Sequence, residues 1–198
     1  MKFVLATQNP KKLKEMSAIL SDLGVEVVSE ADLGVKIEVE ETGEPFAENS
    51  LLKAKAVMAA TKLPAIADDS GLCVDALNGG PGVYSARFGG EGLDAIGRSR
   101  LLLQMMHGQA DRRAHFHTTI TCAFPNGDVL QDDGEVEGTI AFAPMGENGF
   151  CYDPVFFVPD NRKTFAQLSA EEKAEISHRG KALRAFKETL KNYLAEHQ

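Results

Sequence analysis

The sequence predicts a single mixed α/β domain over residues 1–198, with a central mixed sheet flanked by helices, and three observations carry that prediction. Short apolar runs such as "KFVLA" and "PAIADD" alternate with longer stretches whose apolar residues recur at helical spacing. A later strand-like run, "AHFHTTITCAF", ends in the turn sequence "PNGD". No repeat, linker or low-complexity tract intervenes, and 198 residues at 43% hydrophobic content suffice for a full core.

The elements follow in order. Residues 2–6 form a short buried strand, and helix 10–23 follows, with Asn9 as its N-cap, Pro10 as its first residue, and Leu13, Met16, Leu20 and Leu23 on one face. "VEVVS" is the next strand. "VKIEVEE" is expected to be a half-buried strand, because Val35, Ile37 and Val39 alternate with Lys36, Glu38 and Glu40. Pro45 opens a helix through Lys62, and "PAIADD" is a central strand ending at its two aspartates. The glycine-rich "NGGPGVYSARFGG" has the composition of a functional loop, and a helix covers roughly 93–106. Antiparallel strands fill 114–142, and "GFCYDPVFFVP" supplies a last apolar strand segment. Ser169 followed by Glu172 makes a capping box, and the closing helix starts near Ser177 with Leu183, Phe186, Leu190 and Leu194 on one face.

Composition excludes several classes of function. A formal net charge of −8 argues against broad nucleic-acid or membrane-surface binding. Cys73, Cys122 and Cys151 are odd in number and lack C-x-x-C spacing, so neither a disulfide framework nor a zinc site is expected and a reducing cytoplasm fits. The opening "MKFVLATQNPKK" has too short an apolar run for a signal peptide, and no run is long enough to span a membrane.

Against that acidic background, Lys11, Lys12 and Lys14 crowd the first turn of a helix, where the dipole is already positive. A docked phosphate would remove the conflict; the competing reading is that exposed lysines tolerate it. Glu38, Glu40, Glu41, Glu44 and Glu48 precede Asn49 and Lys53, which lie one helical turn apart. Strand alternation would put Glu40 on the polar face, available to a metal, unless these glutamates are merely solvated. In "ADDSG" the adjacent carboxylates of Asp68 and Asp69 must point to opposite faces of a strand, so only one can enter a given cleft. One can bind magnesium and activate water while the other makes supporting bonds; a capped turn is the alternative. Asp75 reads as structural. Ser177, His178 and Arg179 place donors at another helix start, and His115 with His117 lack a third zinc ligand.

Five segments together carry a resemblance: "TQNPKK", "EETGEPFAENSLLKAKA", "ADDSGLCVDALNGGPGVYSARF", "GFCYDPVFF" and "EEKAEISHRGKAL", in order and over nearly the whole chain. The sequence resembles the inosine triphosphate pyrophosphatase family. The resemblance implies two lobes around a nucleotide cleft, a homodimer, and magnesium-dependent hydrolysis of ITP, dITP and XTP to the monophosphate and pyrophosphate. Thr7, Asn9 and Lys12 match triphosphate-binding positions, which assigns the turn with Gln8, Pro10 and Lys11 to substrate. Lys53 matches a phosphate-site lysine, and Glu40 and Asp69 match magnesium positions, with Glu41 a neighbour of that pair. Asp69, Lys12 and Lys53 are thus the implied catalytic set, Asp69 being the base for water. Ser70 matches a substrate contact, Arg87 a residue that reaches phosphate, and Phe150, Cys151, Tyr152, Asp153, Lys173, His178 and Arg179 match the segments that read the purine. Two departures put loop conformation in question: Gln8 and Cys151 stand where the family pattern has glycine. The rival functions are a nucleotide sensor without turnover and a phosphohydrolase of different products.

Overall fold

Residues 1–41 and 45–198 are described by the structure, a computed structural model. Along the chain run β1 (Lys2–Leu5), α1 (Pro10–Leu20), β2 (Glu26–Ser29), α2 (Phe46–Thr61), β3 (Ala65–Val74), β4 (Gly80–Pro81), α3 (Ala95–Met105), β5 (Arg113–Ala123), β6 (Val129–Ile140), β7 (Phe156–Val158), β8 (Lys163–Thr164), α4 (Ala170–Ile176) and α5 (His178–Glu196). The strands hydrogen-bond in the order β2-β1-β3-β5-β6-β7-β8, with β4 on β3. The sheet is mixed: β1 is parallel to β2 and β3, whereas β7 is antiparallel to β6 and β8.

The chain forms two compact units, one of residues 1–69, 118–134 and 182–198 and the other of residues 70–117 and 135–181. In the first unit, strand alternation sorts the core. Phe3, Leu5 and Ile66 pack with Met16 and Leu20 of α1 and with Leu183, Phe186 and Leu190 of α5. The intervening Val4 and Ala65 pack with Val57 of α2, and Ala67 packs with Ala54. Helices α1 and α2 therefore cover opposite faces of β1 and β3. The second unit is organised on Leu72, Val74, Leu102, Phe116, Phe156 and Phe165, with α3 contributing Leu102. Each such fully buried side chain contributes about 1.5–3 kcal/mol.

Asn9 caps α1, its Oδ1 accepting from Lys11 N at 2.9 Å, and Pro10 is the first helical residue. The Ser169–Glu172 capping box forms in both directions. Three expectations are corrected. Residues 35–41 are not a strand: Val35 N donates to Glu30 O and Ile37 N to Glu30 Oε2, so the amides go to one neighbouring residue instead of a ladder. The alternating pattern reflects the packing of Ile37 near Val4 and Val57. β3 does not stop at its aspartates but continues to Val74: Lys12 of α1 bonds Asp68 and Lys53 of α2 stands 3.9 Å from Asp69 Oδ1, so each carboxylate has an ammonium beside it within the strand. Of "GFCYDPVFFVP" only Phe156–Val158 is strand, the preceding residues forming a loop and a turn. No helix among the described residues is long and apolar enough to cross a membrane.

Candidate active site

In the first unit the connection from β1 to β2 carries α1 on one face, and the connection from β2 to β3 carries α2 on the other. The carboxyl end of β1 is therefore the point where the strand order reverses, the position at which open α/β sheets bind ligands. Thr7, Gln8 and Asn9 lie there. Thr7 Oγ1 accepts from Asn9 N at 3.1 Å, which fixes the turn into α1. A cavity of about 190 Å³ beside the turn is lined by Thr7, Gln8, Glu30, Glu41 and Lys53, among others.

The period of two along β3 assigns its carboxylates. Asp68 shares the face of Ile66 and meets α1, its Oδ2 lying 2.8 Å from Lys12 Nζ. This internal anion offsets the lysine's conflict with the helix dipole, while Lys11 and Lys14 stay exposed. Asp69 shares the face of Ala65 and Ala67 and meets α2. Its Oδ1 is 3.9 Å from Lys53 Nζ, which also contacts Glu41 Oε1 at 2.6 Å and donates to Asp68 O at 3.1 Å. Thr118 Oγ1 donates to Asp69 O at 3.2 Å.

Asp69 is 6% exposed, and its Oδ2 is buried with no hydrogen-bond partner among the described residues. Burial pushes its carboxyl up to about 6; Glu41 and Asp68 push the same way, and Lys53 and Asn49 oppose them. A carboxylate so poised accepts a proton near neutral pH.

Among the described residues no three His, Cys, Asp or Glu side chains gather as a preformed metal site, His115 and His117 included. His117 Nδ1 instead lies 3.2 Å from Glu135 Oε2. Magnesium does not require a full protein cage, since it is commonly held by one or two carboxylates together with substrate phosphates and water. The unpartnered Asp69 oxygen fits that requirement. Glu41 is the glutamate brought to Lys53; Glu40 is exposed, and without a strand over 35–41 the alternation that placed it on a polar face does not apply. Glu44 lies outside the described residues.

The second unit holds the remaining expected residues. Asp153 is buried, and its Oδ2 accepts from Phe150 N at 2.9 Å and from Lys173 Nζ at 2.6 Å. The ammonium of Lys173 also lies 5.1 Å from the Phe150 ring centroid and 5.4 Å from that of Phe165. Phe165 stacks on Phe116 at 5.6 Å, and Phe116 on His178 at 4.7 Å, so an aromatic row joins Lys173 to the start of α5. Arg179 is half-buried there, and Ser177 Oγ accepts from Gly180 N at 3.0 Å, so this serine acts as an acceptor at the start of α5.

Cys151 adopts φ 52°, a left-handed conformation that glycine takes at no steric cost. Ser99 Oγ donates to Cys151 O at 2.8 Å, and Tyr152 Oη to Ser85 O at 2.6 Å, anchoring the loop. Burial raises the Cys151 thiol, so it is not a ready nucleophile. Gln8, the other departure, is exposed and does not have a positive φ. Ser70 is half-buried in β3, and the exposed Arg87 has its guanidinium 5.0 Å from the Tyr84 ring centroid. Sequence reasoning missed Thr118 and Glu30. Thr118 follows the alternating His115 and His117 and gives no local sign of its bond to Asp69; Glu30 looks like any surface glutamate yet is 5% exposed.

A family model described as the Ham1 family matches residues 3–189. A dITP/XTP pyrophosphatase of Thermus thermophilus is 50% identical over 193 residues, covering 97% of this chain and 93% of that protein. The dITP/XTP pyrophosphatase of Escherichia coli is 47% identical over 197 residues, covering 96% and 98%. The solved structure of the Staphylococcus aureus Ham1 protein superposes with a TM-score of 0.92 at 41% identity, covering 98% of this chain and 100% of that one. Sequence and fold thus agree over nearly the whole chain, and the chain belongs to the Ham1 family.

Proposed function

We propose that the protein hydrolyses ITP, dITP and XTP to the monophosphate and pyrophosphate with magnesium, removing deaminated purines from the nucleotide pool. The observation that carries this reading is Asp69, a buried carboxylate with one unpartnered oxygen and a raised proton affinity beside Lys53, near the carboxyl end of β1. Two relatives named dITP/XTP pyrophosphatase support it at 50% and 47% identity.

Asp69 takes a proton from the water that attacks the α-phosphorus. The bond to the β-phosphate bridging oxygen breaks, and pyrophosphate leaves with that electron pair. Lys12 and Lys53 stabilise the negative charge on the departing chain, Lys12 exchanging its contact with Asp68 for one with phosphate. Asp69, with Glu40 or Glu41, would hold magnesium, which would supply charge neutralisation on the phosphates when bound. Thr7, Gln8, Asn9, Pro10 and Lys11 bind the triphosphate, and Ser70 contacts the substrate.

Lys173, His178 and Arg179 present hydrogen-bond donors to the 6-oxo group of hypoxanthine or xanthine, beside the loop Phe150–Asp153. Adenine offers an amino group there, so donor faces donor, and each buried mismatch costs about 1–3 kcal/mol. We place the enzyme in the cytoplasm, a compartment that suits its three free cysteines.

The test is a panel of ITP, dITP, XTP, GTP and ATP incubated with magnesium or with EDTA, the products being separated by chromatography. Monophosphate and pyrophosphate from the first three, about a hundredfold preference over ATP in kcat/KM, and loss of turnover in EDTA are expected. Diphosphate and orthophosphate, or equal use of ATP, would refute the reading.

A further inference from the structure

Glu30 has no part in the chemistry above, yet it is a buried carboxylate of the first unit, with 5% of its surface exposed. It follows directly on β2 and lines the cavity that contains Thr7, Glu41 and Lys53. Its backbone carbonyl and its side-chain carboxylate both hold the next stretch of chain. The backbone oxygen accepts from Leu33 N at 3.1 Å and Val35 N at 3.0 Å, and the side-chain Oε2 accepts from Ile37 N at 3.1 Å. The segment 35–41 belongs to no strand. Four residues beyond Ile37 stands Glu41, whose Oε1 is 2.6 Å from Lys53 Nζ.

We infer that Glu30 is a positioning residue: its backbone oxygen holds residues 33–35, and its buried side chain, in place of a strand neighbour, ties down Ile37 and so holds Glu41 beside Lys53 and Asp69. A carboxylate acceptor suits the task, because a charge-assisted bond to an amide is about twice as strong as a neutral one. A single amide tied down in mid-segment also limits how far Glu40 and Glu41 can stray. The inference rests on the proposed magnesium chemistry for its consequence, and on the observed bonds for its geometry.

Two measurements that need no turnover test it. Amide hydrogen exchange and Mn²⁺ binding followed by electron paramagnetic resonance are compared in the parent chain, Glu30→Ala and Glu30→Gln. In Glu30→Ala, exchange should accelerate within 33–41 while the core amides of α5 keep their protection, and Mn²⁺ affinity should fall about tenfold or more, the range for lost supporting contacts at metal sites. Glu30→Gln keeps a carbonyl oxygen for Ile37 N and should stay within about threefold of the parent. Unchanged exchange at 33–41, unchanged Mn²⁺ affinity in Glu30→Ala, or an equal loss of protection across the whole first unit would each overturn the inference. A parent chain that binds Mn²⁺ but does not hydrolyse ITP would refute the proposed function and leave Glu30 to be judged on these two measurements.

Discussion

At the scale of single residues, Asp69 shows how a site is paid for in stability. Its carboxyl is raised from 3.8 to about 6, so between those values the folded chain holds more protons than the unfolded chain. Stability from this group is therefore full below pH 3.8 and is lost as pH rises from there through 6, by up to about 3 kcal/mol. Asp69→Asn removes the buried charge. In EDTA at pH 8 the variant should match or exceed the parent in urea unfolding, by up to about 3 kcal/mol, and the advantage should vanish at pH 4. ITP turnover should be lost at both pH values. A variant equally destabilised at pH 4 and pH 8 would show that Asp69 is not held at a cost.

At the scale of elements, the loop 149–153 depends on backbone conformations that only particular residues take cheaply. Gly149 has φ 76°, and a Cβ there would collide with Asp153 Oδ2. Gly149→Ala should therefore displace the carboxylate that binds Lys173 and Phe150 N, lowering the melting temperature and raising KM for ITP. Cys151→Gly, relieved of a left-handed side-chain clash, should stay within about 1 kcal/mol of the parent. Thermal unfolding and steady-state kinetics on both variants check this, and a parent-like Gly149→Ala would contradict it. Helix ends were the most legible features of the sequence, because the Asn9 cap, Pro10 and the Ser169–Glu172 box act within a few residues of chain. Residues 35–41 misled because alternation records which side chains are buried, not where amides bond, and the acceptor was a side chain several residues away. β3 was read too short for a related reason: "DDSG" is turn-forming in isolation, and Lys12 and Lys53, 56 and 15 residues away, make it tolerable within a strand. The opposite facing of Asp68 and Asp69 followed from the period of two alone, whereas their partners required the helix packing.

At the scale of the whole molecule, a net charge of −8 sets the background against which the few site lysines act. The family resemblance implies a homodimer. Light scattering at micromolar concentration should return twice the chain mass of 21.4 kDa, and the mass of one chain would rule out that assembly. In the proposed reaction water attacks the α-phosphorus of a purine triphosphate and Asp69 takes its proton. Hydrolysis of ITP in ¹⁸O-labelled water, followed by mass spectrometry of both products, tests it most directly. The label should appear in IMP and be absent from pyrophosphate. Label in pyrophosphate, or in orthophosphate released alongside IDP, would rule out attack at the α-phosphorus.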